Sequence, residues 1–158
     1  MKSTTASFQD IDEDEVHDIA LALRRPLVAV MPFAPAGDDQ ALRLLGSGLA
    51  QHLRSGLAQA PAINAILISS EFIERAPEHA LELICRQLHI GHLVTGKCSR
   101  DPHGHCSLYV ELTDTRDWNV HWAQVFRGTA DAMMLPGSTE LARLQASVQA
   151  ALLCHVVR

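Results

Sequence analysis

The sequence predicts a mixed α/β domain, and three observations carry that expectation. In Arg25–Phe33, residues Leu27 to Met31 are apolar without a break and Pro26 and Pro32 mark the ends, the pattern of a short strand buried on both faces. Leu42, Leu45, Leu49, Leu53 and Leu57 step by three or four residues, which puts them on one face of a helix. Gly91–Cys98, Cys106–Thr113 and Val120–Phe126 are strand-like runs separated by turns at Arg100–Gly104 and Asp114–Asp117, the spacing of an antiparallel meander. The expected order is β-α-β-α-β-β-β-α, giving a sheet of about five strands, in part parallel, covered by helices.

The elements follow in chain order. Residues 1–10 are small and polar, and Asp10, Asp12, Glu13, Asp14 and Glu15 surround a lone Ile11. Val16, Ile19, Ala20 and Leu23 recur at helical spacing, with acids before them and Arg24–Arg25 after, the polarity that the helix dipole favours. A short amphipathic helix is expected over Ile11–Leu23, so residues 1–24 form an acidic tail and helix in front of a single domain at 25–158. After the first strand, Ala34–Gly37 reads as a turn, and Asp38 or Asp39 caps the first covering helix. Gly46, Gly48 and Gly56 weaken that helix but allow it to lie close to a sheet. Gly46-Ser47-Gly48 is not read as a phosphate loop, because it falls inside the helical periodicity and the two aspartates would repel an anion at the helix start.

Pro61 stops this helix, and Ile63–Ser69 reads as a second buried strand. Pro77 suits the first turn of the next helix, with Leu81, Ile84, Cys85 and Leu88 on its inner face. After the meander, Ser138 begins a last helix with Leu141, Leu144, Val148, Ala151 and Leu152 on one side.

Composition excludes several function classes. The chain has 158 residues with 47% apolar and 20% charged, which suits one globular domain with its own core. Its net charge of −5, with basic residues scattered and Arg24–Arg25 the longest basic run, gives no general attraction to nucleic acid or to an anionic membrane. No stretch approaches the roughly 20 apolar residues of a membrane span, and the N-terminus lacks the apolar core of a secretory signal. Cys85, Cys98, Cys106 and Cys154 lie far apart and read as reduced thiols. For a chain not cut from a longer one, the expectation is a cytoplasmic protein.

Several runs carry a resemblance. Pro26–Phe33, PLVAVMPF, resembles a P-x-x-A-V-L-P-F opening, and Gly48-Leu49-Ala50 resembles a D-G-L-x-x-x-L helix. Ser69-Ser70 falls at a second strand's end, and Leu88 to Gly96 resembles an L-G-V-x-Y-V-L-x-G block. Val110–Asp114 resembles V-x-L-x-D, and Trp122–Phe126 resembles W-A-x-x-Y/F. In this order and spacing they are similar to the TolB amino-terminal-like domain, over about residues 25–128. That module accompanies bacterial adenylate cyclases, ToxR-like winged-helix regulators and tetratricopeptide proteins. The resemblance implies a mixed α/β fold and a regulatory or assembly role, with no catalytic residues to carry over. His89 departs from the glycine that ends the family's helix, and Thr95 from the acid before Gly96. A helix end needing φ > 0 tolerates His less well than Gly, so that junction is expected to differ.

Local chemistry offers one sharp signal. Cys98, His103, His105 and Cys106 supply two thiolates and two imidazoles within nine residues, the ligand set of a tetrahedral zinc site. Their spacing lacks the separated pairs of zinc modules, and the alternative is a polar hairpin tip turned by Asp101-Pro102 and Gly104. The spacing favours the hairpin, so no metal, cofactor or catalytic residue is assigned. Nine histidines raise pH sensing, with most expected on exposed faces or strand ends. No Ser or Cys sits in a nucleophile motif, and Glu71 and Glu74, in a loop before a helix, read as solvated. Trp122 is expected in the core, and Trp118 near a turn as a partner anchor.

The resulting expectation is a non-catalytic cytoplasmic regulatory or scaffold module in bacterial signalling or transcription regulation. It would act through protein contacts or self-association as a homodimer, with no nucleic-acid or membrane partner. Its contact surfaces would be the N-terminal helix and the edge of the meander. The alternative is a small-ligand sensor with a pocket at the strand ends near Phe33–Asp39 and Ser69–Glu71.

Overall fold

Strand β1 (Leu27–Val30) lies between two parallel neighbours, β3 (Asn64–Leu67) and the start of β4 (Ile90–Arg100). This explains its unbroken apolar run, because a central strand covered on both faces has no solvated side. The computed structural model describes residues 26–76 and 79–156. Beyond β4 the chain returns twice in antiparallel sense as β5 (His105–Asp114) and β6 (Val120–Thr129), giving the order β3-β1-β4-β5-β6. A two-residue strand, β2 (Ala34–Pro35), pairs with Lys97 and Cys98 of β4 and makes the sheet six-stranded. The mixed α/β class is therefore as the sequence predicts. The segment read as a turn at Ala34–Gly37 differs, in that its first half borrows a sheet edge.

The main core lies between one sheet face and helices α1 (Gln40–Ala58), α4 (Ala130–Met134) and α5 (Thr139–Val156). The five leucines of the α1 stripe and the five apolar residues expected on the inner face of α5 are all buried there. Asp39 caps α1, accepting hydrogen bonds from the amides of Ala41 and Leu42, and Arg100 of β4 pairs with it. Those bonds, that from Leu42 foremost, hold the Asp39 carboxyl below its ordinary range. The Ser138 hydroxyl accepts from the Leu141 amide and starts α5. Helix α4 and its Thr129 cap carried no sequence signal, being a five-residue turn between strand and helix.

A smaller core occupies the other face, where Cys85 of α3 (Ala80–Leu88), with Leu81 and Ile84, meets Ala29, Ile68, Ile90 and Leu93. Leu88, expected on the inner face of this helix, is instead exposed. The helix ends there, and His89 adopts the left-handed conformation at φ 56 and ψ 41. The junction thus keeps the geometry a glycine would provide, with a His bearing the strain. Ser69 caps a short helix, α2 (Ser70–Arg75), which contains Glu71 and Glu74, so these two are helical rather than in a loop. Strand β3 is only half-buried and Leu67 is exposed, because β3 lies at one end of the strand order. The expected N-terminal helix over Ile11–Leu23 and the turn at Pro77 lie outside the described residues. Among those described, no helix is long and apolar enough to cross a membrane.

Candidate functional site

Strand β6 ends the sheet opposite β3 and pairs with β5 alone among the described residues. Its sequence, VHWAQVFRGT, sends Phe126 and Trp122 to the helix side, where Phe126 is buried and Trp122 packs on the main core. Val125 points to the other face and is 49% exposed. Apolar side chains on both faces of an end strand are costly to leave in water, and an unpaired edge adds a row of free amides and carbonyls.

A cavity of about 220 Å³ runs beside this strand, floored by Leu49, Leu108, Met133, Leu141 and Leu144. Four successive residues, Gln124 to Arg127, also border it. Neighbouring residues of a strand point to opposite faces, so a cavity touched by all four reaches the backbone edge itself. Glu140 and Arg143 of α5 supply its charged rim. The result is an apolar slot opening onto a strand edge, the arrangement in which an added strand contributes backbone hydrogen bonds and an anchor side chain fills a pocket.

Among the described residues, the face of the meander opposite the main core is also open. Helix α3 covers only the β1 and β4 part of it, while Lys97, Tyr109 and Val125 form an exposed cross-strand row. The Tyr109 hydroxyl donates to Glu111 at 2.7 Å, and this bond raises the phenol above its ordinary range. Trp118 stands at the neighbouring turn, as expected, 40% exposed and at φ 58.

In overall shape the chain matches solved structures at low identity. TolB from Acinetobacter baumannii is 13% identical with a TM-score of 0.52, over 82% of this chain and 28% of that one. The fold is TolB-like. A PelC dodecamer from Paraburkholderia phytofirmans is 14% identical with a TM-score of 0.50, over 82% and 87% of the two chains. The hypothetical protein CT253 from Chlamydia trachomatis is 14% identical with a TM-score of 0.51, over 84% and 98%. The chain thus spans little more than a quarter of TolB and nearly the whole of the other two. Neither a protein-family model nor a curated protein matches the sequence.

The TolB-like frame separates the residues that the sequence put together at the β4–β5 hairpin. Cys98 and Cys106 point into the main core, whereas His103 and His105 are exposed at the tip. Asp101 organises that tip, its Oδ1 accepting from the amides of His103 and His105 at 2.9 Å each. Burial, with the neighbouring Cys106 adding to it, pushes the Cys98 thiol up to about 11. Alternation along a strand explains the split, since Cys98 and Cys106 take inward positions on paired strands and the turn lies beyond the core. The slot beside β6 escaped sequence reading because it is bounded by α4 and α5, whose placement no local pattern reports. Its one legible signal is the pair Val125-Phe126, which gives an end strand apolar character on both faces.

Proposed function

We propose that the chain is a non-catalytic regulatory or scaffold module that holds a partner protein by strand addition along β6. The observation that carries this reading is the apolar slot opening onto the edge of β6 with which no other described residue pairs. A slot of about 220 Å³ suits one or two large side chains, whereas pockets for small molecules run from about 300 to 1,000 Å³. The fold supports the reading, since it also occurs in a protein that forms a dodecamer, and a second copy of this chain, in a homodimer, is one partner the edge suits. The cytoplasmic assignment rests on the four unpaired thiols, and the placement in bacterial signalling or transcription regulation rests on the sequence resemblance.

The test is affinity capture from a lysate of the source organism with the full chain and its Val125→Glu variant as parallel baits, followed by hydrogen exchange on the purified complex. Val125 is half exposed, so the change leaves the core intact while placing a charge at the edge. The expected result is a protein retained by the parent chain, lost from the variant, and protecting amides of residues 120–129. A partner held equally by both baits, with protection elsewhere, would refute strand addition at β6.

A second reading is a small-ligand sensor with its pocket at the strand ends. A cavity of about 170 Å³ lies at the C-terminal end of β1, against Pro32 to Pro35, Arg43, Ser47 and Glu74. It ranks second because this volume is below the range of small-molecule sites. A ligand raising the melting temperature in a metabolite screen, with the effect lost in Ser47→Trp, would reverse the ranking.

A further inference from the structure

At the opposite end of the sheet from the β4–β5 hairpin, His92 is a buried imidazole, 5% exposed, and among the described residues neither of its ring nitrogens has a hydrogen-bond partner. Buried polar groups are paired in native proteins with few exceptions, and an orphan points to a bound water or ion. The ring borders a cavity of about 460 Å³ shared with Asp114, Arg116, His121 and His155.

The backbone converges these groups deliberately. Register along β5 and β6 slips between Leu112 and Thr113, which pair with Trp122 and Val120, so His121 is the extra residue of a bulge. A bulge re-aims a side chain, and here the His121 ring reaches the helix side, 5.7 Å from the ring of His155 on α5. The tight turn after β5 brings Asp117 back, its Oδ2 lying 3.3 Å from His121 Nε2. Ligand atoms of Asp114, Asp117 and His121 all fall within 4.8 Å of one another, and His92 Nε2 lies 3.9 Å from Asp114 Oδ2.

The geometry points to a divalent transition-metal site whose converged donors are Asp114, Asp117 and His121, with His92, 3.9 Å from Asp114 Oδ2, moving in as the fourth. Tetrahedral zinc with ligands at about 2.0–2.1 Å holds its donor atoms about 3.3 Å apart. The Asp117–His121 separation already has that value, the His92–Asp114 gap exceeds it by about 0.6 Å, and binding would draw the remaining donors inward from within 4.8 Å of one another. Mixed imidazole and carboxylate donors select a first-row transition ion over magnesium, which prefers oxygen alone. The donor cluster itself holds two carboxylates, Asp114 and Asp117, against the single guanidinium of Arg116, so an anion is disfavoured there. Arg116 holds Asp114 through Nε at 3.2 Å and Nη2 at 2.9 Å. It does not block the site, because a carboxylate offers about four lone pairs and the arginine side chain is 81% exposed.

The experiment uses the full chain without an affinity tag, stripped with chelator and titrated with Zn²⁺ or Mg²⁺ by calorimetry and thermal shift. One equivalent of Zn²⁺ is expected to bind and raise the melting temperature, and Mg²⁺ to do neither. His121→Ala and Asp117→Asn, both at surface positions, should each weaken Zn²⁺ binding at least about tenfold, since even outer-shell partners are worth that much. The His103→Ala/His105→Ala double variant and Cys154→Ser should bind like the parent. Co²⁺ reports on His92, because His92→Gln should change the visible spectrum of the bound ion. Zn²⁺ affinity unchanged in His121→Ala and Asp117→Asn, or lost in the hairpin variant, would overturn the site and leave His92 facing water.

Discussion

Three glycines of α1 test the packing reasoning within one helix. A Cβ built on Gly46 falls 2.0 Å from the carbonyl oxygen of Phe33 and 3.0 Å from its carbon, well inside the optimum of about 3.5–4.0 Å for heavy atoms. The obstacle is backbone, and Phe33 is itself buried, its amide donating to the Gly46 carbonyl at 3.3 Å. Gly46→Ala therefore requires α1 to move away from the sheet by about 1 Å or more, loosening its whole buried stripe. Overpacking of this kind costs about 1–3 kcal/mol, and moving a whole helix puts the cost near the upper end. The alanine returns about 1 kcal/mol of helix propensity, leaving a net loss of about 2 kcal/mol, or about 4–8 °C in Tm. At Gly48 the added Cβ meets only Cε and Sδ of Met134, at 2.6 and 3.3 Å, and a methionine end can turn aside. Gly48→Ala is expected to be neutral or stabilising by up to about 1 kcal/mol. At Gly56 the obstacle is the Gln145 amide, which donates to the His52 carbonyl, so losing that bond offsets the helix gain and Gly56→Ala lands near zero. Urea denaturation of the three variants at neutral pH decides the matter. Equal midpoints for Gly46→Ala and Gly48→Ala would refute the placement of α1 against Phe33.

Other predictions follow from single residues. His89→Gly should raise stability by about 0.5–1 kcal/mol in the same urea assay, because the left-handed cap strains a side chain and only part of the gain is lost to glycine's freedom in the unfolded chain. With chelator present, stability should fall on acidification in two windows. Burial lowers the pKa of His92, so protons favour the unfolded chain as pH drops below its ordinary value of 6.5. The Asp114 carboxyl is held down to about 2, chiefly by the Arg116 hydrogen bond, so its contribution is full above 3.8 and is lost as pH falls toward 2. Solvent around Arg116 limits that second loss to about 1–2 kcal/mol, and Arg116→Ala should shrink it; urea midpoints at pH 7, 5 and 3 read both windows. A thiol reagent should modify Cys154 rapidly in the native protein and all four cysteines only in denaturant, since Cys85, Cys98 and Cys106 are buried with their pKa values raised.

Sequence by itself determined the elements whose signal is local. The run Leu27–Met31, the leucine steps of α1, the three long strands and the Ser138 start of α5 follow from periodicity and capping, which depend on residues a few positions apart. The resemblance in these same runs points to the TolB-like fold that the solved structures share. Tertiary structure alone decided which neighbours those elements meet. Gly46, Gly48 and Gly56 read alike in the chain, yet only Gly46 faces a backbone that leaves no room for a methyl group. Cys98, His103, His105 and Cys106 look like one ligand set, yet strand alternation sends the thiols inward and the imidazoles out. His92 sits among nine histidines with nothing local to mark it, and it is the pairing of β4 with β5 and the bulge at His121 that gather it with Asp114 and Asp117. The slot beside β6 likewise exists only because α4 and α5 fold back over the last strand. Such long-range meetings are set by packing between distant segments, and no window of sequence contains both partners.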